Sequence, residues 1–99
     1  MSTTAMKNLE WLEDFDIRAE YGSATLKYDI AAALVTARKI RNLTQATLAN
    51  STGVSQAYIS KLESGEANST IGRIGAIFAA IWLKPRIRIV SFEDLLVGN

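Results

Sequence analysis

The chain has no cysteine, no histidine and a single proline, Pro85, in its 99 residues. Without cysteine it builds no disulfide framework, no thiolate metal site and no thiol nucleophile. Without histidine it lacks the commonest general base and zinc ligand, which removes most hydrolytic and metal-dependent enzyme designs. Carboxylates alone offer no convincing catalytic pair, and the acidic residues near the start form no loop with calcium-ligand spacing. The expectation is a protein that is not an enzyme and takes no metal or cofactor. The longest apolar run, Ile74 to Leu83, is ten residues, against the roughly 20 needed to span a bilayer. The opening MSTTAMKNLE has no cationic stretch leading into an apolar one. The reading is therefore cytoplasmic, with no membrane partner.

What is present is an ordinary globular composition, 48% hydrophobic and 21% charged, in a length that suits one domain plus an arm. The net charge of +1 conceals a segregation. Residues 1–30 carry −3, residues 31–90 carry +6 and the last nine carry −2. An acidic head on a basic body suggests two partners of different charge.

Gly22 and Ser23 predict an interruption, and the spacing on either side predicts helices. Before it, Leu9, Trp11, Leu12 and Phe15 alternate with carboxylates as on one amphipathic helix. After it, Ile30, Ala33, Leu34, Ala37 and Ile40 form one apolar stripe of a helix that ends near Asn42. Thr44 and Ser55 are good N-cap residues before two short helical patterns, and Gly65 closes the second. A further helix runs through Ile71, Ile74, Phe78, Ile81 and Trp82 until Lys84-Pro85 stops it. Arg86 to Val90 alternates with period two and predicts a short strand, followed by a last helical turn from Ser91. The predicted organisation is mainly α: an acidic arm over residues 1–28, a helical domain over 29–83, and a strand with a short helix over 84–99 that offers a dimerisation element.

The informative stretch runs from Gln45 to Ser64. A helix-turn-helix needs apolar residues where two short helices cross, a small residue at their closest approach and a turn residue that accepts positive φ. Leu48, Val54, Ile59 and Leu62 supply the first, Ala49 the second and Gly53 the third. With Ile59 and Leu62 inward, Ala57, Ser60, Lys61 and Ser64 point away from the core, and Gln56 and Tyr58 lie on the flanks. That outer face is small, polar and cationic and carries no carboxylate, as close approach to a phosphate-lined major groove requires. Gln56 has a bidentate amide for an adenine edge, Lys61 a donor for guanine, and Ala57 a methyl for thymine. Tyr58 has three openings: packing beside Leu62, a phosphate, or a sugar.

The run LTQATLANSTGVSQAYISKLESG resembles the XRE or lambdoid-repressor class of helix-turn-helix regulators over roughly residues 29–83. The resemblance implies a lambda-repressor-like bundle of four or five helices that binds a palindromic double-stranded operator as a homodimer. It implies a phosphate contact for Gln45, base contacts for Gln56, Ala57 and Lys61, and a structural pair between Arg38 and Glu63. With Ser60 added, the base-reading set is Gln56, Ala57, Ser60 and Lys61. The phosphate set is Thr44, Gln45, Ser55, Tyr58, Ser64 and Arg73. Two departures stand out: Ser69 replaces the usual Pro, and Gly72 and Gly75 replace long helix formers, which suggests close packing against another helix or subunit.

The extra N-terminal segment and the basic strand resemble antitoxins of the HigA type, which bind an RNA-cleaving toxin of RelE or HigB kind and repress their own operon. In that reading Glu10, Trp11, Glu13, Asp14 and Phe15 cover the basic groove of the toxin. The competing reading is a solvated acidic helix packed on its own domain with Trp11 in the core. Two further alternatives are a regulator with no toxin partner and a protein-binding adaptor.

Overall fold

The computed structural model describes residues 10–96. A 3-10 turn at Glu10–Glu13 precedes five α-helices: α1 (Phe15–Ile40), α2 (Gln45–Thr52), α3 (Gln56–Glu63), α4 (Ile71–Ala80) and α5 (Phe92–Leu96). The chain divides into two compact units, one of residues 23–85 and one formed by the residues up to 22 together with those from 86 onward. The N-terminal helical position expected for Leu9 lies outside the described residues.

In the larger unit, side chains and left-handed residues mark most of the boundaries. Thr44, Ser55 and Thr70 are extended and accept hydrogen bonds at their hydroxyls from the backbone N–H of Thr47, Tyr58 and Arg73 respectively. Each satisfies one of the donors that a helix start leaves without a partner. At the other ends, Asn42, Gly53, Gly65 and Trp82 take positive φ. The left-handed residue lets the chain turn back and bond the last carbonyls: Leu43 N–H donates to Arg38 O, Glu66 N–H to Lys61 O and Leu83 N–H to Phe78 O. Gly53, at φ 74°, forms the tight turn between α2 and α3.

The core of this unit comprises Leu34, Ala37, Leu48, Ala49, Ile59, Leu62, Ile77, Phe78 and Ile81, with Val54, Tyr58 and Ile74 among the half-buried side chains against it. Leu48 and Ile59 are fully buried. Four residues of the expected stripes stay outside this cluster, and one of them, Ile30, is half-buried. Ile40, Ile71 and Trp82 are 58%, 86% and 88% exposed. Ile40 ends α1 on the rim of a groove between Ala33, Phe78 and Pro85. Helix α4 stops at Ala80, before the expected Lys84-Pro85, because Trp82 adopts φ 62° and reverses the chain there.

The smaller unit departs further from the sequence reading. Gly22 and Ser23 do not interrupt the chain; α1 passes through both over 26 residues. A Cβ at Gly22 would lie 3.6 Å from Phe92 Cζ, so this glycine sits where an aromatic ring approaches the helix, and it is not a turn residue. Trp11 and Leu12 lie in the 3-10 turn, and Asp14 Oδ1 accepts from the N–H of Asp16 at 2.9 Å and Ile17 at 3.3 Å, capping α1. Trp11 meets Tyr21 edge to face at 5.2 Å, and Tyr21 meets Phe92 at 5.3 Å. Ser91 Oγ caps α5 by accepting from Asp94 N–H.

The strand expected at Arg86–Val90 does not form; no strand occurs among the described residues. The reason is physical: a strand needs another edge to bond, and the described residues, whose regular elements are all helical, have none to give. Ile87 and Ile89 are accordingly each 92% exposed. No helix among the described residues is long and apolar enough to cross a membrane.

Candidate nucleic-acid interface

Helix α3 owes its orientation to Ile59 and Leu62, which are buried in one core with Leu48 and Ala49 of α2. With those two fixed, Gln56, Ala57, Ser60, Lys61 and Ser64 are all exposed. None of the five is a carboxylate. Ser64 Oγ donates to Lys61 O at 2.9 Å, a local bond that closes the end of the helix. Thr44 and Ser55, both exposed, mark the starts of α2 and α3 with their hydroxyls engaged in capping. The first-turn N–H groups of such helices favour anions.

Beneath this surface lies a charge network. Arg38 on α1 donates from Nε to Glu63 Oε2 at 2.9 Å and from Nη2 to Glu63 Oε1 at 3.0 Å, while its Nη1 reaches Leu43 O at 3.0 Å. Gln45 Nε2 donates to the same Glu63 Oε1 at 3.0 Å. Arg38 and Glu63, implied as a pair by the resemblance, are thus brought together. Their side chains are 19% and 6% exposed. Burial alone would push the Glu63 carboxyl up, but the bonds from Arg38 and Gln45 and the charges of Arg38 and Lys39 outweigh it and hold the group below its ordinary value. The same bond to Glu63 raises Arg38. The one acid on α3 is therefore neutralised internally and adds no repulsive charge to the outer face.

Tyr58 is half-buried and packs against the core. Its hydroxyl shares a hydrogen bond with Ser69 Oγ, and the Arg73 guanidinium lies over its ring at 4.2 Å from the centroid. Tyr58, Ser69 and Arg73 thus join α3 to the start of α4. Ser69 was legible only as a departure from the usual proline, which has no side-chain hydroxyl to offer a tyrosine. A second contact escaped the sequence reading: Arg41 Nε donates to Ile81 O at 2.9 Å and Nη2 to Trp82 O at 3.4 Å. A late cation near the end of one helix gives no hint that it caps another.

Residues 34–81 match a family model described as helix-turn-helix. Over this stretch, just under half of the chain, the protein is similar to helix-turn-helix domains. No curated protein and no solved structure matches the chain. The similarity implies sequence-specific DNA binding and points to a transcriptional regulator. In its terms α2 and α3 are the paired helices and Gly53 the turn between them.

The residues expected to bind a toxin lie in the smaller unit. Glu10, Glu13, Asp14 and Phe15 are exposed, Phe15 to 68%, whereas Trp11 is half-buried against Tyr21. Asp14 is committed to capping α1, and Arg18 stands over the Phe15 ring at 5.4 Å. Among the described residues no group of acidic side chains is arranged to hold a metal ion.

Proposed function

We propose that the protein is a homodimeric repressor that reads a palindromic operator with α3. The observation that carries this is the exposed face of α3, where Gln56, Ala57, Ser60 and Lys61 lie together without a carboxylate. Gln56 and Lys61 have the donor geometry for purine edges, while Ala57 and Ser60 are small enough to let the helix descend into the groove. Thr44, Gln45, Ser55, Tyr58, Ser64 and Arg73 flank that face as phosphate contacts. The Gln45 amide has two N–H groups, so one can stay on Glu63 while the other meets a phosphate. Arg73 is exposed and stacks over the ring of Tyr58, a residue of α3. Two copies related by a two-fold axis read two half-sites about one helical turn, ~34 Å, apart. In the dimer, the exposed, alternating Arg86–Val90 segments of two copies supply each other with the edge that a single chain lacks.

Selection of sites from a random duplex pool tests the reading. A palindromic consensus supports it; binding that ignores sequence, or no binding at all, rejects it in favour of a protein-binding adaptor.

A second activity is favoured by one observation: the smaller unit displays Glu10, Glu13 and Phe15 in solvent. An exposed apolar side chain that follows Glu10, Glu13 and Asp14 in sequence, with Arg18 over its ring, suits a basic protein surface, and the HigA-type resemblance makes that surface an RNA-cleaving toxin of RelE or HigB kind whose operon the protein represses. Glu10→Lys and Glu13→Lys combined with Phe15→Ala should spare operator binding and abolish protection of cells from the neighbouring toxin. Unchanged protection would leave a regulator without a toxin partner.

A further inference from the structure

Helix α4 is apolar on every side. Arg73 is its single polar side chain, and that guanidinium is stacked on Tyr58. One face, Ile74, Ile77 and Phe78, packs in the core. The opposite face is Gly72, Gly75, Ala76 and Ala79, all exposed, with Ile71 at one end and Trp82 just past the other, 86% and 88% exposed. A helix that is hydrophobic all round is covered all round in its working state.

Two features give that cover a shape. A Cβ at Gly72 or Gly75 would meet nothing within 4 Å, so no contact among the described residues calls for either glycine. Both weaken a helix interior, and what they permit is the close approach of another backbone. Trp82 is held in the left-handed region, where a bulky residue is rare, and Arg41 bonds both its carbonyl and that of Ile81. The backbone of the turn is thereby fixed while the indole stays in solvent. Tryptophan is the residue type most enriched where interfaces concentrate their affinity.

We propose that a second copy of this chain docks on this face, the two α4 helices crossing antiparallel about a two-fold axis at Ala76. The occupant follows from self-complementarity. Ile71 and Trp82 lie nearly equidistant from Ala76 along the chain, so an antiparallel crossing sets each Trp82 against the Ile71–Gly72 end of the other copy. No charged side chain lies on the face to repel its own image. Each Trp82 brings about 200 Å² to the contact, so the pair alone supplies roughly two-fifths of the ~1,000 Å² that a specific interface buries. This inference rests on the homodimer reading and gives it an interface.

The absence of cysteine makes the test clean. In the full-length protein, Ala76→Cys places one thiol on the axis, within the ~4–7 Å Cα separation that a disulfide accepts; Ala46→Cys, exposed on α2, is the control. Sedimentation should give a dimer, Ala76→Cys should form a covalent dimer at least ten-fold faster than Ala46→Cys, and Trp82→Ala should weaken dimerisation ten-fold or more. A dimer in which Ala76→Cys cross-links no faster than the control overturns the α4 interface and leaves the homodimer standing. A chain that is monomeric both alone and on its selected duplex overturns both.

Discussion

At the scale of single residues, Glu63 is the pivot of the helix-turn-helix domain, because three hydrogen bonds from Arg38 and Gln45 converge on it. Glu63→Ala leaves a partly buried guanidinium and an amide without their acceptor, and should cost about 2–3 kcal/mol in urea unfolding. The pH dependence follows in sign from the lowered carboxyl of the folded state. The stabilisation is complete above the ordinary carboxylate range of about 4–4.5, and is lost as pH falls through the folded-state value below it. Glu63→Gln should flatten that acid limb; an unchanged limb would place the titrating group elsewhere. Gly53, at φ 74° with open space around it, is constrained by its backbone alone, so Gly53→Ala should cost about 1–2 kcal/mol.

At the scale of elements, α1 gives a prediction opposite in sign to the usual penalty for altering a glycine. Gly22 is helical, and a Cβ there meets Phe92 at an ordinary contact distance of 3.6 Å. Gly22→Ala should therefore stabilise the protein by about 0.5–1 kcal/mol in thermal or urea melts; destabilisation would mean that Phe92 cannot yield. This glycine also marks where the sequence stops being legible. Thr44, Gly53, Ser55 and Gly65 announce the helix-turn-helix because caps and left-handed turns are local chemistry, readable from neighbours in the chain. Gly22 reads locally as a break, whereas the helix runs straight through it beside an aromatic ring 70 positions later in the sequence. Ile71 and Trp82 read as core for a related reason: periodicity says that a side chain avoids water, and does not say whether its own chain or another covers it. Arg86–Val90 has a strand's alternation, and one chain has no edge to complete it. Likewise, the outer face of α3 was legible from Ile59 and Leu62, while the bonds of Gln45 to Glu63 and Tyr58 to Ser69 were not, since they depend on how helices and loops meet.

At the scale of the whole molecule, the net charge of +1 is the sum of regions with opposite preferences. The basic region should make operator binding steeply salt-dependent, and Arg73→Ala should lower the slope of log K against log salt by about one per copy. An unaltered slope would remove Arg73 from the phosphate set. The same duplex would repel the acidic head. The central claim is that the exposed face of α3 reads sequence, and one measurement tests it most directly: titration of wild type and of Gln56→Ala with Lys61→Ala, at one salt concentration, against the selected duplex and a scrambled one. The account predicts a folded double variant that binds both duplexes alike, each lost base contact having contributed about 1–3 kcal/mol of discrimination. A double variant that keeps the wild-type preference for the selected duplex would contradict it.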